Sequence, residues 1–363
     1  MSETFDIFLA CAPGLEPLLA DEAAALGFSQ PEPTAGGVTV QGDWADVARA
    51  NVLLRGANRV LARIASFPVF HLAQLDKRAR KVDWASVFRA DMPIRLDVTC
   101  RKSKIYHAGA AAERIARAIT EGLGAPVTDD APLRLYARID DNRCTFSVDT
   151  SGELLHRRGF KQYVGKAPLR ETQAAMFLRA MGFDGNCPVI DPMCGSGTFV
   201  LEAAEVARGL APGRGRGFAF QDLAVDVPMP AMPLSRATPH IFRGSDRDQG
   251  AITGATGNAE RAGLTAVTQF TCAPVSELTR PDGAPGLVMI NPPYGARIGK
   301  AGPLHGLHAA LGTVLKERFA GWRVGLVTAT PALVKTTGLP FKPPGPPVAH
   351  GSLKIRLYQT GPL

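Results

Sequence analysis

Between residues 188 and 328, short apolar runs alternate with helical patterns, and that alternation limits the fold more than any other feature of the chain. The runs fall at 188–192, 240–245, 267–272, 287–290 and 323–328. Strands spaced by helices enter one mainly parallel sheet covered on its faces, rather than pairing as hairpins. A last strand is expected at 353–359, after the proline-rich turn 343–347. Open sheets of this kind bind ligands beyond the carboxyl ends of their strands. The residues directly after each run are therefore where chemistry is sought.

The first half has another rhythm. Residues 1–65 read as strand, helix, strand, helix: strands at 5–11 and 37–41, a helix at 15–26 closed by Gly27, and a helix at 44–54 capped by Asp43. Residues 66–155 give helical patterns at 75–82 and 84–88, and a strand at 94–100. An alanine-rich helix at 109–121 follows, then a strand pair at 133–139 and 143–149. Both read as small α+β units. Residues 156–363 form the third, opening on a helical pattern at 167–181, with 209–240 expected to be an ordered Gly/Pro-rich loop.

Lys plus Arg exceeds Asp plus Glu by 41 − 33 = 8 over 363 residues, which suits a polyanionic partner. The six cysteines are scattered, with no C-x-x-C pair and no Cys/His cluster, so no metal is expected and they read as reduced, in a cytoplasmic protein. Glu3, Asp6 and Glu16 argue against a secretory leader, and no run of 18 apolar residues exists.

Three strand ends carry candidate chemistry. After the first run comes Asp191, Pro192, Met193, Cys194, Gly195, Ser196, Gly197 and Thr198, where a strand ends, a glycine loop turns and a helix begins. Glycine lets backbone approach a ligand, and the helix N-terminus offers N–H groups to an anion. The glycines alone would serve equally as a tight strand–helix turn. After the second run, Asp246 can accept ribose hydroxyls and Arg247 can lie beside a base, although an N-cap aspartate reads the same way. After the fourth come Asn291, Pro292, Pro293 and Tyr294. Two prolines stiffen that turn. The Asn291 side-chain carbonyl and the Pro292 carbonyl can then hold an exocyclic amine while Tyr294 stacks on its ring.

These residues carry a resemblance. Residues 191–198 together with Asn-Pro-Pro-Tyr-Gly at 291–295 resemble the class I amino-methyltransferases. LHRRGFKQYVGKAPLRETQAAM (155–176) resembles the THUMP-domain RNA guanine-N2 methyltransferases. TCRKSKIYHAGAAAERI (99–115), APGRGRGFAF (211–220) and NPPYGARIG (291–299) resemble the branch that modifies large-subunit ribosomal RNA. The resemblance implies a ferredoxin-like unit (1–65), a THUMP unit (66–155) and a Rossmann-like domain (156–363) that uses S-adenosyl-L-methionine. It implies cofactor contacts at 191–198 and Asp246, with Leu169 and Thr172 closing one side of the pocket, and catalysis at 291–294. Two departures stand out. Pro274 occupies the position where relatives often bind the adenine amine with an acidic residue, so backbone, at Val275, or another side chain is expected to serve instead. The bifunctional proteobacterial members carry a second methyltransferase domain, and a single one is expected here.

RNA is the expected partner, 23S ribosomal RNA first and tRNA as the alternative. Arg101, Lys102 and Lys104, beside Tyr106 and His107, form one basic cluster; Arg157, Arg158 and Lys161, with His156 and Lys166, form another. Basic residues interleaved with aromatics suit phosphate contacts and base stacking. Either cluster would look the same as a solvated face. An N6-adenine DNA methyltransferase and a non-catalytic RNA-binding assembly factor are the other readings, and the intact motifs weigh against the second.

Overall fold

The computed structural model describes residues 4–165, 168–293 and 301–363. The chain divides into two compact units. One contains the segment ending at Cys11, Ala20–Leu155 and Arg216–Ala231; the other contains Ala12–Leu19, His156–Gly215 and Met232–Leu363.

The first unit is built on β1 (Phe5–Ala10), β2 (Ser29–Thr34), β3 (Gly37–Gly42), β4 (Arg59–Pro68), β5 (Ile94–Arg101), β6 (Leu133–Asp140) and β7 (Arg143–Asp149). Its helices are α1 (Glu16–Ala25, shared with the other unit), α2 (Trp44–Leu53), α3 (Leu72–Ala79) and α4 (Ala108–Leu123). All seven strands join one sheet in the order β2-β3-β1-β4-β7-β6-β5, antiparallel except where β5 meets β6. Asp43 caps α2 as its position implies: its carboxylate accepts the N–H of Ala45 and of Asp46, and Asp46 reaches back to the Asp43 N–H.

The boundary expected at 65/66 falls inside β4, which pairs with β1 on one side and β7 on the other. A bulge between Arg63 and Ala65 shifts the phase of its side chains, so no clean alternation marks it in the sequence. The 209–240 loop also divides. Arg216–Ala231 belongs to the first unit, where the Phe220 N–H donates to the Thr150 carbonyl (3.0 Å) and the Ala224 N–H to the Val87 carbonyl (2.9 Å).

The second unit carries β8 (Val189–Asp191), β9 (Phe242–Asp246), β10 (Thr268–Cys272), β11 (Leu287–Ile290), β12 (Arg323–Thr328), β13 (Val348–His350) and β14 (Leu353–Gln359). Its helices are α5 (Glu171–Ala180), α6 (Thr198–Ala207), α7 (Gln249–Ala262), α8 (Ala301–Arg318) and α9 (Pro331–Thr336). The strand order is β10-β9-β8-β11-β12-β14-β13, parallel through β12, with β14 antiparallel to β12 and to β13. This is the expected Rossmann-like α/β sheet with an antiparallel edge. The order reverses between β8 and β11, whose residues pair as Leu287 with Val189 and Val288 with Ile190. Beneath that junction Ile190, Val288, Ile290, Leu315, Phe319 and Trp322 are buried together, the last two rings meeting edge to face at 5.4 Å. No helix among the described residues is long and apolar enough to cross a membrane.

Candidate active site

The loop after β8 is held by its own backbone and by β9. The Met193 N–H donates to the Asp191 carboxylate (3.0 Å), the Cys194 N–H to the Ser245 carbonyl (2.9 Å) and the Gly197 N–H to the Cys194 carbonyl (2.8 Å). Gly244 lets this loop close on β9, since a Cβ there would lie 2.9 Å from Cys194 Sγ and 2.7 Å from the Phe270 ring. Gly197, with φ of +81°, is the N-cap of α6 and supplies no side-chain cap. The first turn of α6 therefore presents N–H groups that no N-cap side chain satisfies, the arrangement that favours an anion.

Two carboxylates stand at the neighbouring strand ends. Asp191 is buried, and desolvation pushes its carboxyl up to about 8, with the nearby Asp246 charge adding to the effect and the Met193 N–H opposing it. Asp246 is half-buried; its Oδ2 accepts the Gly195 N–H and its Oδ1 the Asp248 N–H, each at 3.0 Å. Arg247 is exposed beside it. Pro274 caps a short turn that begins at the buried Val275. Leu169 and Thr172 are both buried, the first just before α5 and the second in its first turn. At the end of β11, Asn291 and Pro293 are half-buried and Pro292 is buried; Tyr294 lies outside the described residues.

The second basic cluster needs correction. Arg158 was expected to face RNA, yet only 1% of its side chain is exposed, and its guanidinium is paired with Glu202 of α6 (Nε–Oε1 3.0 Å). A phosphate cannot reach it. The Lys161 side chain is also largely internal: its ammonium lies 2.7 Å from Glu171 Oε1 of α5 and donates at 2.7 Å to Thr198 Oγ1. His156 is half-buried, and burial together with the charges of Arg170, Arg157, Arg158 and Lys161 lowers its imidazole to about 4, so it contributes no cation at neutral pH. Arg157 alone of this group is exposed, and Lys166 lies outside the described residues. A signal for the burial was present in TFVLEAAEVA, where Glu202 and Glu205 sit in an otherwise apolar helix and require internal cations. Arg214 answers Glu205 at 2.6 Å.

The first cluster is on the surface. Arg101, Lys102, Lys104, Tyr106 and His107 are all exposed, Tyr106 by 75%. Lys102 takes a left-handed φ of +45°, and the turn is pinned to the β6–β7 hairpin by Lys104 N–H to Asn142 Oδ1 (2.8 Å) and Asn142 N–H to Ser103 Oγ (2.9 Å). Phe70, absent from the sequence-based expectation, is exposed with the Lys104 ammonium 5.6 Å from its ring centre.

Residues 158–339 match the family model described as the RMKL-like methyltransferase domain, half of the chain. The chain belongs to the RMKL-like methyltransferase family. Residues 6–61 match a second model, the RlmL ferredoxin-like domain. A Chromohalobacter salexigens protein named ribosomal RNA large subunit methyltransferase K/L is 33% identical over 93% of this chain. The chain spans only 50% of that protein. A Synechocystis protein bearing an RNA-methyltransferase name is 32% identical over 92% of this chain and 90% of its own length. A Listeria monocytogenes structure, described as an N6-adenine-specific DNA methylase, superposes with a TM-score of 0.85 at 26% identity, covering 99% of this chain and 97% of its own. The RMKL-like model covers the 191–198 loop, Asp246 and the 291–294 turn.

Proposed function

We propose that this chain transfers a methyl group from S-adenosyl-L-methionine to the N2 amine of a guanosine in 23S ribosomal RNA. The observation that carries the reading is that the 191–198 loop and Asn291 follow the two paired central strands, β8 and β11, where the strand order reverses. The residues fit the cofactor: an uncapped helix N-terminus suits its carboxylate, and the buried Asp191 carboxyl suits a cationic neighbour. When bound, the cofactor supplies an electrophilic methyl on a cationic sulfur. Asp246 serves the ribose, Arg247 and the backbone at Val275 serve the adenine, and Leu169 and Thr172 close one side.

The chain's own task is to make an aromatic amine nucleophilic. Asn291 Oδ1 and the Pro292 carbonyl accept the two amine hydrogens, favouring a tetrahedral nitrogen whose lone pair points at the methyl. Pro293 stiffens the turn and Tyr294 stacks on the base. The amine loses one proton to solvent as the new N–C bond forms and the S–C bond breaks. Arg101, Lys102, Lys104 and Arg157 contact RNA phosphates, and Tyr106 with Phe70 offers faces to unpaired bases. In this reading the first sheet carries a ferredoxin-like part (1–65) and a THUMP part (66–155), and 156–363 apart from Arg216–Ala231 is catalytic, in a cytoplasmic enzyme.

The test is Asn291→Ala, which keeps cofactor affinity and lowers the single-turnover methylation rate by at least ~10²-fold, the scale of removing one oxyanion-hole donor. A wild-type rate would remove Asn291 from the mechanism. Nucleoside mass spectrometry of rRNA, tRNA and DNA from a deletion strain identifies the substrate. Loss of methylguanosine from tRNA alone, or of methyladenine from DNA, replaces the ribosomal assignment.

A further inference from the structure

We infer that Lys161 is the counter-ion of the cofactor's carboxylate, delivered to the start of α6 by a strap bolted on both sides of it; this rests on the cofactor reading above. The strap runs through residues 158–163. On its first side, Arg158 is locked to Glu202 of α6 by two hydrogen bonds (3.0 and 3.3 Å). On its second side, the fully buried Asn258 of α7 accepts the N–H groups of Gln162 (3.1 Å) and Tyr163 (3.2 Å) and donates to the Tyr163 carbonyl (3.0 Å). Arg261 donates to the Phe160 carbonyl at 2.8 Å. The Tyr163 ring packs where a Cβ on Gly254 would lie 2.2 Å from it, so Gly254 makes room for the strap.

These fastenings converge on the cofactor loop. The same Asn258 amide donates to the Ser196 carbonyl (3.2 Å), and the Lys161 ammonium reaches Thr198 Oγ1, on the first residue of α6. With 8% of its side chain exposed, Lys161 is a cation taken out of water beside a helix N-terminus that already favours an anion. Its pair with Glu171 neutralises it, and that contact with the Thr198 contact uses two of its three N–H donors. A remaining ammonium N–H donor beside the partial positive charge of a helix N-terminus suits an anion, and a pair with a single carboxylate does not explain why the lysine is held at the loop rather than on the far face of α5. The only anionic group of the cofactor is its carboxylate.

The experiment compares two ligands on the full-length protein by calorimetry: S-adenosylhomocysteine, which has the carboxylate, and 5′-methylthioadenosine, which lacks it. Lys161→Met is expected to weaken S-adenosylhomocysteine by about tenfold or more, the scale of a charge-assisted hydrogen bond, and to leave 5′-methylthioadenosine within about twofold. Lys161→Arg retains most of the discrimination. Because Lys161→Met leaves Glu171 buried and unpaired, the double variant K161M/E171Q repeats the comparison without that charge, and the same selective loss is expected. Equal weakening of both ligands, or of neither, overturns the inference and makes Lys161 a structural clamp. Failure of the wild-type protein to bind S-adenosylhomocysteine overturns the cofactor reading itself.

Discussion

Two basic stretches of similar composition end in opposite environments. Arg101, Lys102 and Lys104 stand in water on a pinned turn, whereas Arg158 and Lys161 are internal, each against a glutamate from a neighbouring helix. Charge seen along a sequence does not say where its partner is. Glu202 follows Arg158 by 44 residues, and Glu171 follows Lys161 by ten. A cation takes its role from the carboxylates that fold against it, and here the difference separates a turn open to solvent from two ion pairs held inside the second unit.

The sharpest way to break that contrast is Arg158→Ala. It strands Glu202 in the interior, and we expect ~3–5 kcal/mol of lost stability in chemical denaturation, the range for removing one partner of a buried pair. A loss below ~1 kcal/mol would put Arg158 with the surface cations. The mirror experiment replaces Arg101, Lys102 and Lys104 together by Ala. Stability should move by no more than ~0.5 kcal/mol. RNA affinity should fall, and its log–log dependence on salt should flatten by about three, one for each lost phosphate contact. An unchanged salt slope would leave this turn a solvated face.

A third test probes the second unit's charge balance through Asp191. Its folded carboxyl, near 8, lies above the unfolded value of about 4, so the unfolded chain ionises first as pH rises. The ligand-free protein should lose stability from about pH 4 to about pH 8 through this group, and Asp191→Asn should remove that component. A cationic ligand reverses the preference. Calorimetry in two buffers of different ionisation enthalpy should therefore show proton release when S-adenosyl-L-methionine binds near pH 7, and Asp191→Asn should abolish it. Proton-neutral binding in the wild type would show that the ligand does not favour the ionised carboxylate.

How much of this was legible follows from which interactions are local. The parallel strands announced themselves because β8, β11 and β12 are apolar runs buried on both faces. The Asp43 cap, the Gly27 stop and the 140–142 hairpin turn were readable because each acts within a few residues. β2 was not, since SQPEPT has two prolines and lies mostly exposed at a sheet edge. β4 was hidden by its bulge. In the site, the loop and the strand-end residues were visible as motifs, and the strap was not. Its fastenings join Arg158, Phe160, Gln162 and Tyr163 to Glu202, Asn258 and Arg261 across 44 to 101 residues, and no local pattern encodes such partners.

The return of Arg216–Ala231 to the first unit has a consequence for how the chain is made. A ribosome releases the seven strands of that unit by residue 149, but the segment that donates to the Thr150 and Val87 carbonyls is still unsynthesised. At ~5–20 residues per second, roughly 4–16 s pass before residue 231 follows. During that interval the nascent sheet has Phe220 and Leu223, both buried in the finished protein, still to come. Maturation of the amino-terminal unit is thereby timed by translation of β8 and α6, so a stall between residues 150 and 231 leaves an unfinished unit in a chain whose seven strands are all already made.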